Sequence, residues 1–474
     1  MKKYYSIMFL FLMVVLSLLT SCYSQSDFKG KWLGELSIQG MKLRIVFNIS
    51  EDSNNKLKAT LDSPDQSAFD ISVSEVSSEG NKINLSIKII GGSFEGTLNE
   101  NSELVGEFKQ AGMTFPMTLK KTEGEVKEKA KHQEPKKPYP YNEEEVTFQN
   151  LEAGVTLAGT FTYPKEGNKF PTIVLVSGSG QQDRNESLLG HKPFLVLSDY
   201  LTKLGCAVLR YDDRGFGKST GDFLTSTTID NMKDALAAVT YLKLRKEIDV
   251  EKIGIMGHSE GGLIAAIAAA TSDDVCFIVM LAGTGVVGEQ ILYAQGRAIN
   301  KASGMNDENN NRSEMLQKDL FSILRKGKDD QVTTIAMREY LHKTIPELSE
   351  SFRKETQMDS SSIETMIKRM VNPWFRTFLS LDPAPYLQKV KVPVLAINGE
   401  KDIQVLPKQN LPAIEKALKE GKNKDYTVKE LKGLNHLFQK CNSCNVVEYS
   451  TLDETFSNDA LSVIGDWIKE RFAK

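Results

Sequence analysis

Cysteine is scarce in this chain of 474 residues, with five in all, alongside three tryptophans and five histidines. So few thiols cannot staple a chain of this length, and its core must come from ordinary hydrophobic packing. An excess of one charge is missing too, since 59 Lys and Arg stand against 62 Asp and Glu for a net charge of −3. That balance excludes a basic nucleic-acid footprint, and no RNA or DNA module signature appears. No hydrophobic run is long enough to span a membrane. The run "IMFLFLMVVLSLL" near the start falls short of the ~20 residues a spanning helix needs.

That run follows Lys2 and Lys3 and ends in Leu19-Thr20-Ser21-Cys22. Such an order reads as a signal peptide over residues 1–22. The last four residues resemble a bacterial lipobox, which implies lipidation of Cys22 and attachment to a membrane. The alternative is a cleaved signal with small residues at Cys22 and Ser24. Either way the expectation is an exported protein, a cell-envelope lipoprotein or a secreted one. Of the other cysteines, Cys206 and Cys276 lie in apolar strand-like runs as small hydrophobes. Cys441 and Cys444 in "CNSC" form either a local disulfide or two free thiols. One such pair is a poor zinc site, and no metal is expected.

Residues 23–122 alternate with period two. Leu43, Ile45, Phe47 and Ile49 share one face, as do Ile83, Leu85, Ile87 and Ile89, and "SFEGTLNENSELVGEFKQ" reads as two strands around a polar turn. The expectation is a small antiparallel all-β barrel or sandwich. It carries no defensible set of acid, base or metal ligands, so it is a docking module for a protein or glycan partner, or a spacer. Residues 123–145 are rich in Lys, Glu and Pro and read as a linker.

From residue 146 to 474, strands and helices alternate. "TIVLVSG", "CAVLRYDD", "KIGIMGH", "CFIVMLAG" and "VPVLAING" are short continuous apolar runs, the mark of strands buried on both faces of a parallel sheet. The class is α/β with a doubly wound sheet. Between the fourth and fifth of these runs lies an interval far longer than a crossover needs. Its helical, Met-containing segments, about 286–385, read as a cap over the carboxyl edge of the sheet, where ligands bind.

Gly257-His258-Ser259-Glu260-Gly261 is a G-x-S-x-G set between a strand and a helix, the nucleophile elbow of an α/β-hydrolase. The tight turn admits only glycine at its flanks and displays the Ser259 hydroxyl above the sheet. A serine needs a base held by a carboxylate, and in this fold the acid and then the histidine follow the serine along the chain. Of His132, His191, His258, His342 and His436, only His436 follows the last strand-like run. Asp402, in the loop after "VPVLAING", is the acid, with Glu400 as competitor. The oxyanion donors are the N–H of Glu260 and that of Ser179, or of its neighbour Gly180, in "LVSGSGQQDRN". No cofactor is expected. "GSGQQD" lacks the third glycine of a dinucleotide fingerprint, and "GFGKST" has Asp212 where a phosphate-binding loop requires glycine.

The motifs "RYDDRGFGKSTGDF", "GHSEGGLIA", "NGEKDIQV" and "GLNHLFQ" resemble those of bacterial secreted α/β-hydrolases of the esterase or serine-aminopeptidase-like kind, with an N-terminal β-domain. The resemblance implies that Asp212, Asp213, Arg214 and Gly215 form a supporting loop at the edge of the active site. Many such relatives carry His-Gly where this chain has Ser177-Gly178. The expected function is hydrolysis of small to medium carboxylic esters through an acyl-enzyme. The alternatives are an exported aminopeptidase that takes a short peptide with the same triad, and a non-catalytic surface binding protein.

Overall fold

The computed structural model describes residues 25–472 apart from 39–40, 67, 111–112, 127–129, 357 and 359; the expected leader with Cys22 lies outside the described residues. The chain divides into two compact units, Met1–Lys129 and Ala130–Lys474.

In the first unit, alternating apolar residues make one curled antiparallel sheet rather than a two-layer sandwich. Its strands are β1 (Gly30–Ile38), β2 (Met41–Glu51), β3 (Leu57–Ser63), β4 (Ala68–Ser72), β5 (Glu75–Glu79), β6 (Lys82–Ile87), β7 (Gly92–Leu98), β8 (Glu103–Gln110) and β9 (Met113–Thr122). They are ordered β4-β3-β2-β1-β9-β8-β7-β6-β5, so the chain returns to pair its last strand with its first. The alternation puts Leu43, Ile45, Phe47 and Ile49 into a core shared with Trp32, Phe94 and Phe108. β6 stops at Ile87, short of the expected run to Ile89, because a 3-10 turn over Lys88–Ile90 closes on left-handed Gly91. Asn99 accepts the N–H groups of Asn101 and Glu103 and thereby shapes the β7–β8 turn.

The second unit adds β10 (Asn142–Asn150), β11 (Val155–Tyr163), β12 (Phe170–Val176), β13 (Ala207–Tyr211), β14 (Ile248–His258), β15 (Phe277–Leu281), β16 (Val394–Gly399) and β17 (Tyr426–Leu431). Their order is β10-β11-β13-β12-β14-β15-β16-β17, antiparallel at β10 and β11 and parallel from β13 onward. Helices α1 (Pro193–Lys203), α2 (Thr228–Leu242) and α3 (Glu260–Thr271) precede an insertion after β15. The insertion holds α4 (Gly288–Ala302), α5 (Asp307–Lys326), α6 (Asp330–Thr344), α7 (Glu350–Thr356), α8 (Ser360–Met370), α9 (Pro373–Ser380) and α10 (Ala384–Leu387). α11 (Pro407–Glu420) and α12 (Asn458–Phe472) follow. α1 and α12 cover one face of the sheet, while α2, α3 and α11 cover the other. The insertion has its own core, including Leu320, Phe321, Met337 and Phe352. This is the expected doubly wound α/β-hydrolase architecture with a helical insertion. The strand order reverses at β12, so the carboxyl ends of β12 and β14 form the topological switch point of the sheet.

The segment expected to be a linker, 123–145, is corrected in its larger part. Residues 130–145 belong to the second unit. Lys131 donates to the carbonyl of Leu452 at 2.6 Å, and Gln133 accepts the N–H groups of Thr455 and Phe456 and donates to the Phe456 carbonyl. β10 starts at Asn142, and the Tyr141 hydroxyl donates to Asp199. Composition reports how much apolar surface a segment can bury. This one is held largely by side-chain hydrogen bonds to distant backbone groups instead. Among the described residues no helix is long and apolar enough to cross a membrane.

Phe94 is fully buried with its ring 5.6 Å from that of Phe47. Phe94→Ala should cost the first unit about 3–5 kcal/mol, read as an earlier urea midpoint of the Trp32 fluorescence transition; an unchanged midpoint would refute this packing.

Candidate active site

β14 runs into α3 through a turn that only a backbone without side chains can make. A Cβ on Gly257 would overlap the Gly261 carbonyl, and a Cβ on Gly261 would overlap the Val176 carbonyl. Between them Ser259 takes φ 54° and ψ −116°. That is a strained conformation for a residue with a side chain. It is held because Ser259 donates its N–H to Leu281 at 2.8 Å and accepts from the Gly262 N–H at 3.0 Å. Among the described residues the Ser259 hydroxyl has no hydrogen-bond partner, so no such bond joins it to His436.

Asp402 and His436 are brought together. Asp402 lies in the loop after β16, 3% exposed, and accepts Nδ1 of His436 at 2.7 Å. Its other oxygen takes the N–H groups of Gln404 and Val405 at 2.7 and 2.9 Å. Those bonds fix the carboxylate from within its own loop. His436 follows β17 in a turn shaped by Asn435, whose side chain accepts the N–H groups of Leu437 and Gln439. Glu400, the competing acid, accepts the Gly433 N–H. His191 is buried between the Tyr449 carbonyl and Thr455, and burial, aided by Lys131, pushes it down to about 4. His342 lies on α6 of the insertion and His132 in the segment before β10.

The loop after β12 lies against the elbow. An added Cβ at Gly178 would come within 3.3 Å of the Ser259 Cβ. The Gly178 N–H donates to Glu186 Oε1 at 2.9 Å, which leaves Ser179 and Gly180 as the next N–H groups of that loop; both residues are exposed. Sequence reasoning missed Glu186. It is 2% exposed and also accepts His258 Nδ1 at 2.9 Å, while His258 Nε2 meets the His436 carbonyl at 3.0 Å. Burial opposes charge on His258, yet the Glu186 carboxylate outweighs it and holds the imidazole above its usual value. A sequence offers no signal for this pair beyond a polar residue beside the nucleophile.

The Asp212–Gly215 loop is a hub of charge. Asp212 pairs with Arg184 at 2.7 Å, and Arg214 pairs with Asp234. Asp213 accepts from the Ser177 hydroxyl and the Gln182 N–H. Burial drives the Asp213 carboxyl well above the carboxylate range, and the Glu260 and Glu186 charges add to that push. Glu260 is itself buried behind the elbow, where Thr228 donates to it at 2.7 Å and Trp374 of α9 donates to both its oxygens at 2.9 Å. Burial raises its pKa against those two donors. Cys441 and Cys444 form a disulfide just beyond His436, while Cys206 is buried and free, its thiol pushed up to about 12 by burial.

The chain belongs to the alpha/beta hydrolase fold family, which it matches over residues 171–440. It is 26% identical over 302 residues to the esterase EstD of Thermotoga maritima, across 64% of this chain and 60% of EstD. A stretch of 155 residues is 31% identical to dipeptidyl peptidase 8 of Homo sapiens, 31% of this chain and 17% of the peptidase. A crystal structure of a Pyrococcus furiosus esterase aligns with 71% of this chain and 92% of its own at 18% identity and a TM-score of 0.41. The chain therefore spans less than two thirds of the length of either EstD or the peptidase.

The raised Asp213 carboxyl has a consequence for stability. A carboxyl that holds its proton more tightly when folded loses stability as pH rises from its unfolded value, near 4, toward its folded one. Asp213→Asn removes that loss while keeping an acceptor for Gln182. The urea midpoint of the variant relative to the parent should therefore climb between pH 4 and pH 7; a constant difference would show that Asp213 is ionised throughout.

Proposed function

We propose that the second unit is a serine hydrolase that cleaves carboxylic esters of small to medium acyl chains. The observation that carries this reading is the buried Asp402–His436 bond beside a serine strained into the elbow conformation. Ser259 Oγ attacks the acyl carbon while His436 takes its proton through Nε2, and Asp402 stabilises the resulting imidazolium. The tetrahedral oxygen accepts from the N–H of Glu260 and from that of Ser179, since Gly178 has already committed its N–H to Glu186. Collapse returns the proton to the leaving alkoxide and leaves an acyl-serine. A water activated by His436 then releases the acid. None of these steps calls on a metal or a cofactor.

The same triad would serve a peptidase, and the stretch similar to dipeptidyl peptidase 8 favours that second reading. An aminopeptidase also needs carboxylates free to hold a substrate ammonium. Glu260, the acid nearest the nucleophile in sequence, is instead bound by Thr228 and Trp374. That occupancy favours the ester. Export, with a lipid on Cys22 as the anchor, completes the proposal. In a bacterial host, labelled palmitate should enter the full chain and not Cys22→Ala; equal labelling would remove the anchor.

Ser259→Ala should lower turnover by about 10⁶-fold, as nucleophile removal does in comparable triads, with the melting temperature preserved. Retained activity would eliminate the proposed nucleophile. On residues 23–474, p-nitrophenyl acetate to decanoate should be hydrolysed and aminoacyl p-nitroanilides spared. Faster release from the anilides would transfer the triad to the peptidase reading.

A further inference from the structure

The Glu186–His258 pair lies outside the proposed triad, yet it touches three of the segments that build the site. Glu186 Oε1 takes two N–H groups at once, from Gly178 in the loop after β12 and from His258 at the end of β14. The other ring nitrogen of His258 reaches the backbone carbonyl of His436, and the two imidazoles lie 4.6 Å apart between centroids. A carboxylate and a carbonyl are both acceptors, so His258 satisfies the two only by donating from both nitrogens, as an imidazolium. Both partners are almost wholly buried, and Glu186 is held at φ 53°. A buried ion pair is no bargain for stability, because desolvation offsets most of the attraction. Its persistence here, beside a strained backbone, points to a need for geometry.

We propose that Glu186 and His258 are positioning residues that lock the oxyanion loop and the His436 loop to the nucleophile elbow through one buried ion pair. This rests on the Ser259 reading above. With the Gly178 N–H drawn onto Glu186, the next peptide is set in orientation, and the Ser179 N–H with it. With the His436 carbonyl fixed by His258, the His436 ring is held from its backbone side as Asp402 holds it from its side chain. One carboxylate therefore sets both the donor that meets the oxyanion and the base that moves the proton. Its effect belongs to the transition state, where charge develops on the acyl oxygen, and not to the ground state of the substrate.

The test is ester hydrolysis by the full chain and by Glu186→Gln, His258→Asn and the double variant, each normalised to sites titrated with a p-nitrophenyl phosphonate. Glu186→Gln keeps the shape and removes the charge. kcat per titrated site should fall by about tenfold to a hundredfold, the cost of a misplacement of ~1 Å, with KM within about threefold. The double variant should lose little more than the worse single one, because the two act as a unit. A merely structural pair would lower the melting temperature and leave kcat per titrated site unchanged, and that result overturns the proposal. Additive losses in the double variant would also overturn it. Should Glu186→Gln not fold, Glu186→Asp keeps the charge and withdraws it by one methylene. Its expected loss of kcat, or its absence, decides in the same way. A parent chain that neither reacts with the phosphonate nor hydrolyses any ester would overturn the Ser259 reading itself. A reactive parent with unaffected variants would overturn only the pair.

Discussion

Everything in the second unit that bears on chemistry depends on one backbone contact, the approach of α3 to the ends of β12 and β14. Gly257 meets the Gly261 carbonyl and Gly261 meets the Val176 carbonyl, each closer than a side chain would permit. The helix can therefore begin directly behind the strand. That start makes α3 the central helix, buried around most of its circumference through Leu263, Ile264, Ala266 and Ile267. It also leaves Ser259 as the one residue that must turn outward. The helix start aims its free N–H groups at the same point, which favours negative charge there. The outward serine, the N–H groups proposed as oxyanion donors and the strain are three aspects of one steric fact.

Four carboxylates lie around that turn, and their surroundings set them apart. Asp402 receives two backbone N–H groups and an imidazole, and Glu186 receives one backbone N–H and an imidazole. Such sets of donors satisfy the acceptor oxygens of a buried carboxylate. Asp213 and Glu260 face hydroxyl, amide or indole donors, and burial raises both. Among the described residues neither has a cationic partner. Negative charge formed at the elbow would thus meet two carboxyls that burial makes harder to ionise.

What could be read in the sequence follows from where each constraint acts. The strands of the first unit and their buried faces were legible because a period-two pattern is local, and Leu43, Ile45, Phe47 and Ile49 need only their own strand to declare a face. The elbow was legible for a related reason, as Gly257 is forced by the carbonyl of Gly261 four residues on, although the atom that forces Gly261 is the distant Val176 carbonyl. The meeting of Asp402 and His436 was approached through chain order, because the parallel sheet carries the ends of β16 and β17 side by side. Glu186 had no such signal. Its partners Gly178 and His258 converge only when the loop after β12 folds over β14, and "QQDRNES" reads as any polar loop. Trp374 was hidden likewise, 114 residues from the Glu260 it binds. Residues 130–145 misled because composition speaks of buried area and is silent about a lysine and a glutamine that satisfy backbone groups at 452–456.

Glu260 joins the insertion to this account. Its N–H is the proposed oxyanion donor, and its side chain is the point where Trp374 of α9 meets the elbow. α9 starts cleanly, with Asn372 capping the Phe375 N–H and Pro373 in its first turn, and Trp374 stacks on Phe378 at 5.3 Å. A rigid aromatic pair is thus hung from the residue next to the nucleophile. The approach of the insertion and the placing of the proposed donor cannot then be adjusted separately, because a shift of α9 pulls on the carboxylate of the residue that carries that N–H. Selectivity for the acyl group and stabilisation of its transition state would be read through one side chain. The carboxylate suits that task since it offers two oxygens to one indole, and an apolar residue at 260 would leave the half-buried Trp374 N–H without that acceptor.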